Sequence, residues 1–250
     1  MTRDTDKYIS HAVSKLILFA VMGTSACTPS EWMCGTEDAL AQCLKPTQTD
    51  EYYIEQSSAY FDTMDYTVDL DGWPPYSENI ARWEWPPWLK LTAYTRENIE
   101  ATDTLLTLYP SIVPERECQA FDTQPFGRCY VVFYYDAHEG LGCPVYEEFT
   151  FNDQGEITWI EAWSDVDGLR PMNDGDRWAE AEDIDRLATR IPGLGNETGL
   201  INLESEAMLA AAASDDDVAD FVTRANDWYA TWLAEYIAAG DELWSIGCGW

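Results

Sequence analysis

The chain has 250 residues, 46% of them hydrophobic and 12 of them tryptophan, which is enough apolar material for a sizeable core and excludes an intrinsically disordered chain. Its 46 acidic and 14 basic residues leave a formal charge of −32. That balance excludes a face for nucleic-acid phosphates, opposes adsorption to anionic lipid, and otherwise reads as a solvated acidic surface.

At the N-terminus, Arg3, Lys7 and Lys15 precede an apolar run from Leu16 to Met22, and Gly23, Thr24, Ser25 and Ala26 then lead to Cys27. A basic start, an apolar stretch too short to cross a bilayer and a small-residue cleavage site outline a signal peptide over residues 1–26. Ser25-Ala26-Cys27 resembles the bacterial lipobox, which implies a lipid on Cys27 and a membrane partner through that anchor. Thr24 stands where that pattern prefers leucine, so plain cleavage after Ala26 stays open. Residues 27–49 read as a tether containing a short helical piece, Glu37 to Leu44. Export implies an oxidising compartment. There Cys34, Cys43, Cys118, Cys129, Cys143 and Cys248 are candidates for disulfides, with Cys34 and Cys43 the natural local pair and the other connectivities open. No CxxC spacing occurs, and His138 is the sole histidine outside the leader, so no zinc site is expected.

From Asp50, a plausible N-cap, the residues Tyr53, Ser57, Tyr60, Phe61 and Met64 fall at helical spacing. Asp69, Asp71, Gly72 and Glu78 fall into an EF-hand register, but Thr67 replaces the first acid and Pro74-Pro75 blocks the exit, so this stretch reads as an acidic turn. Trp83, Trp85 and Trp88 surround a proline pair, with a helix expected to begin near Pro87. They form either an aromatic wall for a ligand or a brace that packs a loop on the core. A further helix is expected from Arg96 to Tyr109, ended by Pro110.

Tyr130 to Tyr135 is an aromatic and β-branched run suited to a strand. Gly140, Gly142 and Pro144 interrupt it, and Val145 to Phe151 follows with Phe149 and Phe151 on one side and Glu148 and Thr150 on the other. Asn152-Asp153-Gln154-Gly155 then turns the chain into Ile157 to Trp163, where Ile157, Trp159, Glu161 and Trp163 share a face. This turn, continuing as Glu156-Ile157, and a strand closing in Ile160-Glu161-Ala162-Trp163-Ser164-Asp165 resemble the last hairpin of the NTF2-like superfamily, in its SnoaL-like (polyketide cyclase-like) branch. The resemblance spans residues 50–170. It implies an α+β fold, an NTF2-like cone of curved antiparallel sheet wrapped by N-terminal helices around a pocket.

Residues 171–250 lie outside that resemblance and read as a C-terminal helical extension. Turns are expected at 165–168 and 173–176. Helices are expected over Trp178–Arg190, Glu204–Ala213 and Val218–Ala239, the last a single amphipathic helix with Phe221, Ala225, Trp228, Trp232 and Ile237 on its buried stripe.

No serine-hydrolase elbow, zincin, P-loop or dinucleotide fingerprint is present, and no cofactor is expected. Enzymes of the resembled superfamily place an Asp, His or Tyr inside the cone, where apolar walls raise a carboxyl pKa. Glu161, Asp165 and His138 are the catalytic candidates on this basis, with Tyr130, Tyr134 or Tyr135 as donors to an enolate-like oxygen. Glu161 facing solvent, or paired with Arg128 or Arg170, is the plainer alternative. Trp83, Trp85, Trp88, Tyr130, Tyr135, Trp159 and Trp163 are the candidate ligand wall. The reading favoured by the sequence is an exported, lipid-anchored envelope protein that binds a small apolar or aromatic molecule, non-catalytic or of unknown activity, or that has a structural role at the envelope. The alternative is a metal-independent isomerase, dehydratase or cyclase using a buried carboxylate. A carbohydrate-binding or glycosidase-like protein comes third.

Overall fold

A computed structural model of the chain describes residues 45–172, 177–178, 184–240 and 242–250. The expected leader, Cys27, the helical piece at 37–44, the Cys34–Cys43 pair and the turn at 173–176 lie outside the described residues.

The fold is α+β, a curved six-stranded sheet with helices. Its strands are β1 (Tyr76–Glu84), β2 (Ala93–Tyr94), β3 (Ser111–Ala120), β4 (Gly127–Tyr135), β5 (Gly142–Phe151) and β6 (Ile157–Ser164), in the order β2-β1-β6-β5-β4-β3. All neighbours are antiparallel except β1 with β6. Register shifts in β1, β3 and β5 mark irregularities at which such sheets bend.

Helices α1 (Asp50–Tyr60) and α2 (Arg96–Leu106) fill the inner face of the sheet. Every residue of the stripe on and after α1, Tyr53, Ser57, Tyr60, Phe61 and Met64, is buried. Its N-cap is Thr49, one residue before the expected Asp50, because the Thr49 hydroxyl accepts from the Tyr52 amide at 3.3 Å. Helix α2 starts from the Thr95 cap and stops at Leu106, ahead of Pro110. No helix starts near Pro87: the chain turns there and runs into β2. Three strands escaped the pattern reading, among them the two-residue β2. β1 carries Arg82 and Glu84 on its inner side, which hides the alternation, and β3 is a polar edge strand with Pro114 at its irregularity.

The C-terminal part wraps both faces. A short 3-10 turn (Leu187–Arg190), α3 (Glu206–Ala212) and α4 (Asp216–Asn226) cover the outer face, where Phe221, Ala225 and Leu187 pack with Trp83 and Trp159. Helices α5 (Trp228–Ala239) and α6 (Glu242–Cys248) return to the inner side. The single helix expected over Val218–Ala239 is therefore two, broken at Asp227 with φ −129° and ψ 43°, and Ile237 is exposed. The described residues of the helix expected over Trp178–Arg190 form an isolated bridge at Ile184 and the 3-10 turn. With both faces covered, all eight residues of β6 are buried.

Disulfide Cys118–Cys129 joins the registered pair on β3 and β4, and Cys143–Cys248 ties α6 to β5. Among the described residues no helix is long and apolar enough to cross a membrane.

Candidate active site: a closed cavity with one surplus carboxyl

Strand alternation decides what enters the cone. On β5, Cys143, Val145, Glu147, Phe149 and Phe151 point inward while Tyr146 and Glu148 point outward. Glu147 is thus the one charged residue in an apolar row, registered between Cys129 of β4 and Ala162 of β6. It borders a cavity of about 60 Å³. Met64, Leu105, Phe133 and Val145 form its apolar wall, Glu84, Lys90 and Tyr135 add polar groups, and Trp88, Trp232, Tyr236 and Trp244 roof it.

Beneath the cavity lies a buried ion pair. Arg82 Nη1 donates to Asp103 Oδ1 and to the Tyr60 hydroxyl, each at 2.7 Å, and Arg82 Nε donates to the Leu91 carbonyl at 2.7 Å. Tyr76 donates to Asp103 Oδ2 at 3.5 Å. Glu84 Oε2 accepts from the Leu91 amide at 2.9 Å. Glu147 Oε2 has no hydrogen-bond partner. Burial pushes the Glu147 carboxyl well above the usual glutamate range. The Arg82 cation opposes this, the Glu84 and Asp103 charges add to it, and the Tyr60 hydroxyl pulls it slightly back. Three carboxyls (Glu84, Asp103, Glu147) thus face two cations (Arg82, Lys90), and burial raises all three, Glu147 well above the glutamate range. Burial also raises Glu84 and lowers Lys90 to about 8, the latter against the pull of Glu84 and Glu235.

The expected acid, Glu161, sits on the outer face. It is fully buried there and accepts from four donors: Trp85 Nε1 at 2.8 Å, the Leu187 amide at 2.7 Å, Trp159 Nε1 at 3.1 Å and the Ala188 amide at 2.9 Å. It faces neither solvent nor an arginine; it rivets the Leu187–Arg190 turn to β6. Its register neighbour Glu148 holds Arg128 Nε at 2.7 Å and Arg186 Nε at 2.5 Å. Asp165 ends its strand paired with Arg170 at 2.7 Å. His138 lies against Trp244 and Trp250, at ring distances of 5.4 and 4.7 Å, outside the cavity lining.

The candidate ligand wall is split by the sheet. Trp88 and Tyr135 line the cavity. Trp83 and Trp159 join the outer cluster with Trp85, while Trp163 and Tyr130 stack with Tyr146 on the same side. Sequence reasoning passed over Glu147 and Lys90. The signal for the first was an acid in register with Phe149 and Phe151. For the second it was a lysine between Trp88-Leu89 and Leu91 in a chain poor in lysine. Among the described residues no group of three or more His, Cys, Asp or Glu could hold a metal ion.

No protein-family model matches the chain, nor does any curated protein. Among solved structures, a SnoaL-like family protein from Agrobacterium tumefaciens, assigned as an isomerase, is similar over 46% of this chain and 99% of its own, at 10% identity and TM-score 0.37. The epoxide hydrolase/cyclase-like enzyme SalBIII of pyran ring formation in salinomycin matches 46% of this chain and 86% of its own, at 11% identity and TM-score 0.32. A bacterial protein with a cystatin-like fold from Silicibacter pomeroyi matches 49% of this chain and 76% of its own, at 15% identity and TM-score 0.27.

Proposed function

We propose that this protein admits a small, mainly apolar molecule to the cone and moves a proton on it with Glu147, without a metal, in isomerase, dehydratase or cyclase fashion. The observation that carries this reading is the Glu147 carboxyl: buried, with a free Oε2, its pKa raised, and bordering an apolar cavity. A general acid or base works best with a pKa near the operating pH, and burial is a common way to bring a glutamate there. Tyr60 and the Arg82–Asp103 pair hold their positions around it and supply donors and charge that do not have to reorganise.

The test is exchange of the α-hydrogens of cyclopentanone in heavy water, followed by proton NMR, with cavity tryptophan fluorescence to report binding. The full chain should accelerate exchange, and Glu147→Gln should lose at least about a hundredfold of that rate. Saturable binding without any acceleration would instead favour the non-catalytic binder. That second reading has its own support, because Cys143–Cys248 staples the roof in place. Absence of both binding and exchange rejects the pocket reading altogether.

The proposal extends to location: an exported protein, lipid-anchored through Cys27. The run from Lys15 to Cys27 and the two disulfides of the described part support it, since such bonds persist in oxidising compartments.

A further inference from the structure

The cavity contains a nucleophile that the proton-transfer reading does not use. The chain has four lysines, Lys7, Lys15, Lys45 and Lys90, and the last of them lines the cavity. Leu89 takes a left-handed backbone, φ 50°, and the next residue enters the interior with 7% of its surface exposed. Lys90 Nζ has no hydrogen-bond partner and lies 4.3 Å from the centre of the Tyr236 ring on the roof helix α5. A lysine kept only to carry charge gains from reaching water or a carboxylate within hydrogen-bonding distance. Lys90 Nζ has no carboxylate within hydrogen-bonding distance, and it shares the cavity with Glu147, whose carboxyl burial raises.

We propose that Lys90 captures the carbonyl carbon of a small aldehyde or ketone as an imine, with Glu147 as the acid that releases water. The neutral amine adds its lone pair to the carbonyl carbon, the C=O π bond opens, and one N–H proton moves to the oxygen to give a carbinolamine. Glu147 protonates that hydroxyl, water leaves, and the nitrogen lone pair forms C=N. The remaining N–H proton goes back to the Glu147 carboxylate, so carbonyl plus amine gives imine plus water with the acid regenerated. This step rests on the cavity reading above and narrows its substrate class to carbonyl compounds. The depressed pKa of about 8 supports it, leaving roughly a tenth of Lys90 as free amine at neutral pH, against less than a thousandth of an ordinary lysine.

The experiment treats the full chain with butanal or cyclopentanone plus cyanoborohydride at about pH 7, conditions under which imine but little carbonyl is reduced. Mass spectrometry of the peptides then locates the adduct, and cavity tryptophan fluorescence reports binding in parallel. Lys90 should be labelled about a hundredfold faster than Lys45, following its larger fraction of free amine. Lys90→Arg and Lys90→Met, each checked for folding by circular dichroism, should abolish the fast adduct. Saturable binding with no adduct at Lys90, or labelling that tracks Lys45, overturns the imine and leaves the cavity reading standing. No binding of either carbonyl overturns both.

Discussion

Two adjacent glutamates carry opposite chemistry because the pleat sends them to opposite faces. Burial penalises both charges. Glu148 is then drawn below the usual range by Arg186 and Arg128, whereas Glu147 meets one guanidinium, that of Arg82, and two like charges and is driven up. The consequence for stability has a definite sign. Below the ordinary glutamate value of 4.5 the carboxyl is protonated whether the chain is folded or not, and Glu147 costs nothing. Above it the unfolded chain ionises freely while the folded one keeps its proton, so stability falls as pH rises towards the folded pKa. Glu147→Gln removes that loss. Urea unfolding at about pH 4 and about pH 7.5 should find the variant gaining on the parent at the higher value, and an unchanged difference would contradict a raised pKa. Burial raises the Glu161 carboxyl too, but its hydrogen-bond donors oppose that shift. Four donors converge on it, so it reads as a fastening of the outer layer rather than a proton carrier.

Among the elements, the break at Asp227 decides whether there is a closed site. Phe221 and Ala225 of α4 pack on the outer face, while Trp232 and Tyr236 of α5 roof the inner cavity. One straight helix cannot bury both stripes on opposite sides of a sheet, and the chain turns at the edge to do so. Helix α6 completes the roof. Trp244 stacks on Tyr135 at 4.2 Å, and Gly247 passes so close to Trp88 that a Cβ there would lie 2.4 Å from Cζ2. The Cys143–Cys248 bond, closing a loop with a sequence separation of 105, holds this helix to β5. Cys143→Ser/Cys248→Ser should lower stability by about 4–5 kcal/mol on the chain-entropy view, and cyclopentanone should quench the cavity tryptophans faster than in the parent. Stopped-flow fluorescence measures the second effect, and an unchanged entry rate would show that the roof opens elsewhere.

At the scale of the molecule, the negative charge is almost entirely a surface property. Of the described buried acids, Asp103 pairs with Arg82 and Glu148 with Arg128 and Arg186, while burial raises the carboxyls of Glu147 and Glu161. A sheet covered on both faces then leaves an apolar space under the roof. The proposed anchor places this body at a membrane surface with its acidic exterior turned to solvent. Intact mass of the chain purified from an envelope fraction should show loss of residues 1–26 and a diacylglyceryl or triacyl increment on Cys27. An intact leader, or cleavage with an unmodified cysteine, would remove the lipid anchor.

Local pattern alone revealed the α1 stripe and the β5–β6 hairpin around Asn152–Gly155, because period and turn chemistry are properties of neighbouring residues, while the α+β class was what the resemblance carried by that hairpin implied. It also put Glu161 beside Trp159 and Trp163 on one face, which is where they lie. What it could not reveal was which face is the inside. In a sheet covered on one side, the apolar face marks the core. Here the extension buries the other side as well, so both faces of β6 are apolar and the alternation carries no direction. Glu147, Lys90 and the Arg82–Asp103 pair became a site only through tertiary structure, since strands and loops far apart in the chain bring them to one cavity, and there it is burial that changes their chemistry.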